Sequence, residues 1–180
     1  MRLSLCSALV VMLALAATPL AMGTAKGPSP QRQLTLEQGI LREVNHVRVA
    51  RGLHPLTSAR GLQAAASFQS RALLVQGVFE HDSAAGGAFG LRLRRFYPAG
   101  AARSWSVGEN LLWAAAGLSP ESAVQMWLDS PAHRRVLLDP AWLEFGVGAF
   151  GSAAASGVYA SAGSVVVVTL DFGVRTGASR

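Results

Sequence analysis

Cysteine is nearly absent from this chain. The single one, Cys6, lies inside an N-terminal apolar run, so the domain that follows has no thiol for a disulfide, a thiolate nucleophile or a soft metal site. Lysine is equally scarce, with Lys26 the only example, and charged residues are 14% of the sequence, which leaves stability to apolar packing rather than to ion-pair networks. Arginine therefore carries nearly all of the formal net charge of +6, a surplus that favours anionic surfaces such as phospholipid headgroups or cell-wall polymers. No basic stripe interleaved with aromatics is visible along the sequence, which argues against nucleic acid as a partner. Catalytic signatures are missing too: there is no G-x-S-x-G elbow and no H-E-x-x-H.

What is present begins with Arg2 followed by an apolar run from Leu3 to Ala17 and small residues around Ala14-Leu15-Ala16. This pattern reads as a secretory signal peptide with a short spacer over 1–25, too short for a stable span. The cleavage site falls after Ala16 or near Gly23-Thr24-Ala25. Leu3-Ser4-Leu5-Cys6 comes too early to act as a lipoprotein box. Residues 26–34 read as a Pro/Gly/polar linker, 35–175 as one domain and 176–180 as a tail; about 155 residues suffice for one sizeable core.

Within the domain, Thr35-Leu36-Glu37-Gln38 reads as a capping box, and Leu36, Ile40, Val44 and Val47 recur at helical spacing up to Gly52. Pro55 interrupts, and Leu56 to Gly77 is an Ala-rich second helix with Gly77 as its C-cap. Phe89 to Tyr97 reads as a short basic helix whose Arg92, Arg94 and Arg95 form a solvated face, with an anion-binding patch as the alternative. Apolar residues alternate from Trp105 to Trp113, which is strand period. Ser119-Pro120 and Ser130-Pro131 each combine an N-cap with proline at the first helical position, the first helix carrying Ala123, Met126 and Trp127 inward. Glu144 to Phe150 and Val165 to Phe172 read as strands. Between them, 151–163 reads as a long hairpin loop with an extended stretch at Val158-Tyr159.

Three spaced segments carry the candidate chemistry: Phe79-Glu80-His81-Asp82-Ser83, Val107-Gly108-Glu109-Asn110-Leu111, and Trp127 to Arg134 with His133. Alternation puts Glu109 on the strand face of Trp105, Val107, Leu111 and Trp113. A carboxylate there must be paired, protonated or ligating a cation, unless Gly108 hosts a bulge that turns it to solvent. His133 falls in a helix first turn, where the positive end of the dipole favours neutral imidazole. His46 and His54 read as structural, and Trp105, Trp113, Trp127 and Trp142 as core anchors.

Asn45-x-x-Arg48 with Gly52-Leu53 and Pro55-Leu56, Ala65-x-x-x-Gln69, His81-x-Ser83, Gly108-Glu109-Asn110-Leu111, Trp127-x-x-Ser130-Pro131-x-His133-Arg134, Gly146-Val147-Gly148 and Asp171-Phe172-Gly173 occur in this order. Together they resemble the CAP superfamily (SCP domains; cysteine-rich secretory proteins, antigen 5 and pathogenesis-related proteins), in its bacterial-type branch. The resemblance implies an α/β/α sandwich, of the α+β class, with a small antiparallel sheet between helical layers. It also implies a wide cleft holding His81, Glu109 and His133. The second glutamate of many eukaryotic members falls on Ser130 here, and Asp129, about 100° away around the helix, does not take its place. Asn45, Arg48 and Asn110 are implied to make structural hydrogen bonds around the cleft.

The expected site is a divalent metal triad of His81, Glu109 and His133, with Zn²⁺ the best fit to two imidazoles and a carboxylate. The expected function is that of a secreted or periplasmic binding module for a lipid, sterol or cell-envelope ligand. The alternatives are a metal-dependent hydrolase, of peptides or of the cell wall, using the same three residues, and an interaction scaffold in which they form a structural polar cluster.

Overall fold

The computed structural model describes residues 29–82 and 87–178; the expected signal peptide and Ser83 lie outside the described residues. Chain order is β1 (Gln31–Arg32), α1 (Leu34–Val49), β2 (Thr57–Ser58), α2 (Arg60–Gln76), α3 (Phe89–Phe96), β3 (Ala102–Ala115), α4 (Pro120–Asp129), α5 (Pro131–Leu137), β4 (Glu144–Ser152), a 3₁₀ helix (Gly157–Ala162) and β5 (Val165–Ala178). One sheet forms in the order β1-β4-β5-β3, with β2 added to β4. All its pairings are antiparallel except that of β2 with β4. The result is the α/β/α sandwich expected from the sequence.

Strand period decides the two layers, because successive side chains alternate between faces. Val166, Val168, Leu170 and Phe172 of β5, Phe145, Val147 and Ala149 of β4 and Leu112 of β3 meet Ile40 and Val44 of α1, Trp127 of α4 and Leu137 of α5 in the larger core. On the other face, Leu111, Val165 and Val167 pack with Leu73 and Leu74 of α2 and with Tyr159 of the 3₁₀ helix. A third cluster joins α2 to α3 through Leu62, Ala65, Leu93 and Tyr97. Gly146 and Gly148 face α2, and a Cβ on either would collide with the α2 backbone, at Leu62-Gln63 and Ala66-Ser67 respectively. These two glycines let the helix lie directly on β4.

The outer edge of β4 is closed by side chains as well as by the two short strands. Gln63 donates to the Val147 carbonyl and accepts from the Val147 amide at 3.2 Å, and Glu37 accepts from the Ala149 amide at 3.0 Å. Such closure removes an edge that would otherwise invite pairing with another chain.

Several expectations are corrected here. Helix α1 begins at Leu34 with Gln33 as an N-cap that makes no side-chain bond; Thr35 lies inside the helix. Gln38, the amide expected to reach back to Thr35, is exposed, and the acid of the first turn, Glu37, is held by Arg32 at 2.9 Å and by β4. Residues in the expected linker and tail join the sheet as β1 and the end of β5. Met126 is 44% exposed, while Ala123 and Trp127 are buried as expected. The expected extended stretch at Val158-Tyr159 is 3₁₀ helix, with Tyr159 fully buried; its ring, edge-on to Trp113, fills the core only from a helical turn.

Candidate functional site

Glu109 faces the α2/α3 layer, as the alternation predicts, and no bulge turns it out: Gly108 pairs with Phe172, Glu109 with Asp171 and Asn110 with Leu170 in unbroken register. That register sets two carboxyl groups side by side on the apolar face. Burial of such a pair requires a counter-charge, and Arg92 of α3 supplies it. Its Nη2 donates to Oε2 of Glu109 and lies 3.9 Å from Oδ1 of Asp171, with all three side chains at most 2% exposed. Arg92 thus sits in the core of the site rather than on a solvated face, which corrects the sequence reading. The signal was available: Phe89, Leu93 and Phe96 flank Arg92 at helical spacing and place it on the inward side.

Asp171 is the more isolated acid. Among the described residues neither of its oxygens has a hydrogen-bond partner. Complete burial, and then the charge of Glu109, push its carboxyl well above the usual carboxylate range, against the opposing pull of Arg92. Burial thus biases Asp171 toward its neutral form, and Arg92 makes its closer contact with Glu109. The sequence shows Asp171 only as part of a terminal motif, although it shares its strand face with Val165, Val167 and Thr169.

The second oxygen of Glu109 holds His81, with Nδ1 and Oε1 2.9 Å apart. This contact raises the pKa of the imidazole above its ordinary value, against partial desolvation. The backbone at His81 is fastened from both helices. Gln69 of α2, fully buried, donates to the Glu80 carbonyl at 3.1 Å, and Nη1 of Arg92 donates to the His81 carbonyl at 3.1 Å. Gly77, left-handed at φ +69°, ends α2 and turns the chain toward this loop.

His133 enters from α5. Asn110 donates to its carbonyl at 2.9 Å, and Trp127 of α4 donates to the Leu111 carbonyl at 3.0 Å, so consecutive residues of β3 place the acid, α5 and α4. Partial burial, and then the charge of His81, hold the His133 imidazole below its ordinary value. The two histidines thus lie within electrostatic reach of each other and are biased to opposite protonation states. Beside them, along the free edge of β3, a cavity of about 260 Å³ is lined by Phe79, Leu111, Trp113, Met126, Trp127, Ser130 and His133. Ser130 lines this cavity, whereas Asp129 is exposed and engaged by Gln125 at 2.7 Å.

The other candidates are structural. Asn45 pairs with both backbone groups of Leu56, at 2.9 and 2.7 Å. Arg48, fully buried, donates to the carbonyls of His54, Leu137 and Asp139; desolvation lowers its pKa. His46 and His54 are exposed. Among the described residues no three His, Cys, Asp or Glu side chains are arranged to hold one metal ion.

A three-layer sandwich whose sheet carries a buried acid with a histidine on either side is the arrangement of an SCP-type domain. The sequence matches the CAP family, the cysteine-rich secretory proteins, over residues 41–172, and the chain belongs to that family. It is similar to an extracellular protein containing an SCP domain from Bacillus anthracis, at 27% identity and a TM-score of 0.61 over 80% of this chain and 41% of that one. This chain thus spans about two fifths of the length of the Bacillus protein. It shares its fold with an outer surface protein of Borrelia burgdorferi, at 19% identity and a TM-score of 0.59, covering 76% of this chain and 90% of that one. No curated protein matches. None of the described helices is long and apolar enough to cross a membrane.

Proposed function

We propose that this CAP protein is a secreted or periplasmic binding module whose cleft takes a ligand with an apolar portion and a polar head, such as a lipid, a sterol or a cell-envelope component. The observation that carries the reading is the juxtaposition of a cavity walled by Phe79, Leu111, Trp113 and Met126 with the imidazole of His133. A concave apolar wall with few convergent polar groups is the usual form of a small-molecule site. The solved relatives described as an extracellular protein and an outer surface protein support an exported role.

Of the expected ligands to a divalent ion, Glu109 has both oxygens engaged, one by Arg92 and one by His81. The reading that fits these contacts makes His81 and His133 the residues that would hold Zn²⁺, with Glu109 bracing His81 through Nδ1. A carboxylate behind a ligating histidine fixes its tautomer and raises its basicity. Two protein ligands leave positions for a bound molecule's own donor. The ion would supply a Lewis-acidic anchor for the polar head.

Binding is preferred to hydrolysis because Glu109 is buried with both oxygens already engaged, by His81 and Arg92, rather than open to water, and Ser130 stands where a second acid would be needed. Mass analysis of lipid and metal co-purifying with the exported protein tests the reading. An apolar ligand is expected, and it should be lost on Met126→Asp. Zinc at a hundred times its dissociation constant is expected to stabilise the protein by about 2.7 kcal/mol. A zinc-induced shift that persists in the His81→Ala/His133→Ala double variant would remove both histidines from the site. Turnover of peptide, ester or muropeptide that vanishes in Glu109→Gln would reverse the preference for binding.

A further inference from the structure

The sequence shows no run of alternating arginine and aromatic residues, yet the fold assembles one. On the α2/α3 side of the sheet, at the end where β3 begins and β5 finishes, Trp105 and Arg175 lie directly opposite in register. The guanidinium of Arg94, from α3, stacks over the Trp105 ring with its Cζ 5.2 Å from the centroid, and that of Arg175 covers Tyr97 at 4.1 Å. Trp105 in turn donates through Nε1 to the Tyr97 carbonyl at 2.8 Å, which locks the two rings together. Arg95 continues the row over Phe96 at 5.6 Å. Arg103 packs beside Gly177 on the neighbouring turn of the same strand pair.

We propose that this ladder, Arg94–Trp105–Arg175–Tyr97 with Arg95 at its flank, is a binding site for a phosphate-bearing polyanionic chain. A guanidinium laid flat on an aromatic face keeps its N–H edges for outside acceptors, and the ring beneath removes the rotamer freedom that binding would otherwise have to quench. Arginine suits this role better than lysine because its fork donates two parallel hydrogen bonds to one phosphate. Glu144 accepts from Arg175 at 3.1 Å and offsets one charge; Arg94 and Arg95 make no hydrogen bond or ion pair among the described residues and are exposed. The row therefore keeps a net positive charge.

A chain is favoured over a bilayer because the aromatic rings are roofed by the guanidinium groups rather than projecting past them. Leu91 of α3, 65% exposed, and Phe68 of α2, 42% exposed and packed against Phe96, are the large apolar side chains that stand out beside the row, and two separate side chains give little penetration. Phosphate is favoured over carboxylate because its oxygens diverge in several directions and can bridge guanidinium groups that lie on different rings. Trp105 is four residues from Glu109 along β3, about 13 Å, so this surface is separate from the cleft.

The test is binding of long-chain inorganic polyphosphate to the purified protein, followed by titration calorimetry at several salt concentrations. Binding that weakens steeply with salt is expected, and Arg94→Gln/Arg95→Gln should weaken it about tenfold, as loss of two phosphate contacts does elsewhere. Arg42→Gln/Arg51→Gln, which removes equal charge from α1 and the turn that follows it, on the opposite face, should leave it within about twofold. The single Arg94→Gln variant, with about a threefold loss expected, gives a second reading should the double variant melt early. Equal loss in both double variants would reduce the effect to net charge and overturn the site. Binding of polyglutamate as tight as that of polyphosphate would overturn the phosphate assignment. Preferential binding to phosphatidylglycerol vesicles, or no polyphosphate binding at all, would overturn the proposal outright.

Discussion

Nδ1 of His81 and Oε1 of Glu109 lie 2.9 Å apart, joining a half-exposed imidazole to a carboxylate only 1% exposed. The histidine is the face that the cleft presents to solvent, and the acid behind it is locked by Arg92.

The two histidines should respond oppositely to pH. His81 has a raised folded-state pKa, so its contribution to stability is fully present below the unfolded value of about 6.5 and is lost as pH rises through the folded value. His133 has a lowered one; the unfolded chain binds more protons between the two values, so its contribution grows as pH rises through that window. NMR titration of chelator-treated protein should show His81 titrating above His133. Glu109→Gln should bring His81 back toward the ordinary value. Indistinguishable titrations in the unmodified protein would contradict the geometry.

Removing the buried cation should be costly. Arg92→Met leaves Glu109 and Asp171 without their counter-charge and should destabilise by about 3–5 kcal/mol, read by denaturant unfolding. Asp171→Asn should cost far less, about 1 kcal/mol or under, because burial already pushes this carboxyl toward its neutral form and it makes no hydrogen bond. A larger loss for Asp171→Asn than for Arg92→Met would show that Asp171, not Glu109, is the main partner of Arg92.

Gly148→Ala should destabilise by about 1–3 kcal/mol or more, since the added methyl meets the backbone of Ala66-Ser67 and not a movable side chain. Gly100→Ala is a useful contrast: its surroundings are open and only its φ of +59° is unfavourable, so a cost of about 1 kcal/mol is expected. Equal melting temperatures for the two variants would argue against close contact between α2 and β4.

Gln69→Leu should free the His81 loop without removing any site group, because Gln69 reaches that loop only through backbone carbonyls. Faster amide hydrogen exchange across residues 79–82 is expected, together with about 1 kcal/mol of lost stability. Unchanged exchange there would mean that Arg92 alone fixes the loop.

How much of this was legible beforehand varies with the range of the interaction. The ends of α2 and α4 follow from local chemistry: Gly77 adopts the left-handed cap, and the Ser119 hydroxyl accepts from the Ser122 amide at 3.1 Å. Glu109 could be placed on its face because alternation is local. Thr35, by contrast, offered a plausible cap that the fold bypassed: the helix begins one residue earlier, at Leu34, as β1 and the contacts of Glu37 with Arg32 and β4 draw its first turn onto the sheet. The triple run of Arg92, Arg94 and Arg95 looked uniform, yet one member is buried and the other two stack on aromatic rings. Composition cannot separate them; only helical phase against the sheet does.

The sequence by itself determined the periodicities, the helix punctuation, the lack of thiols after Cys6 and the family motifs, and with them the sandwich class. Tertiary structure alone decided that Glu109 and Asp171 stand opposite each other, that Arg92 neutralises the pair, and that Arg94 and Arg175 meet Trp105 and Tyr97. Each of these relations joins residues far apart in the chain through strand register and helix placement. Their energies depend on burial and on charge separation, which exist only once the layers have closed.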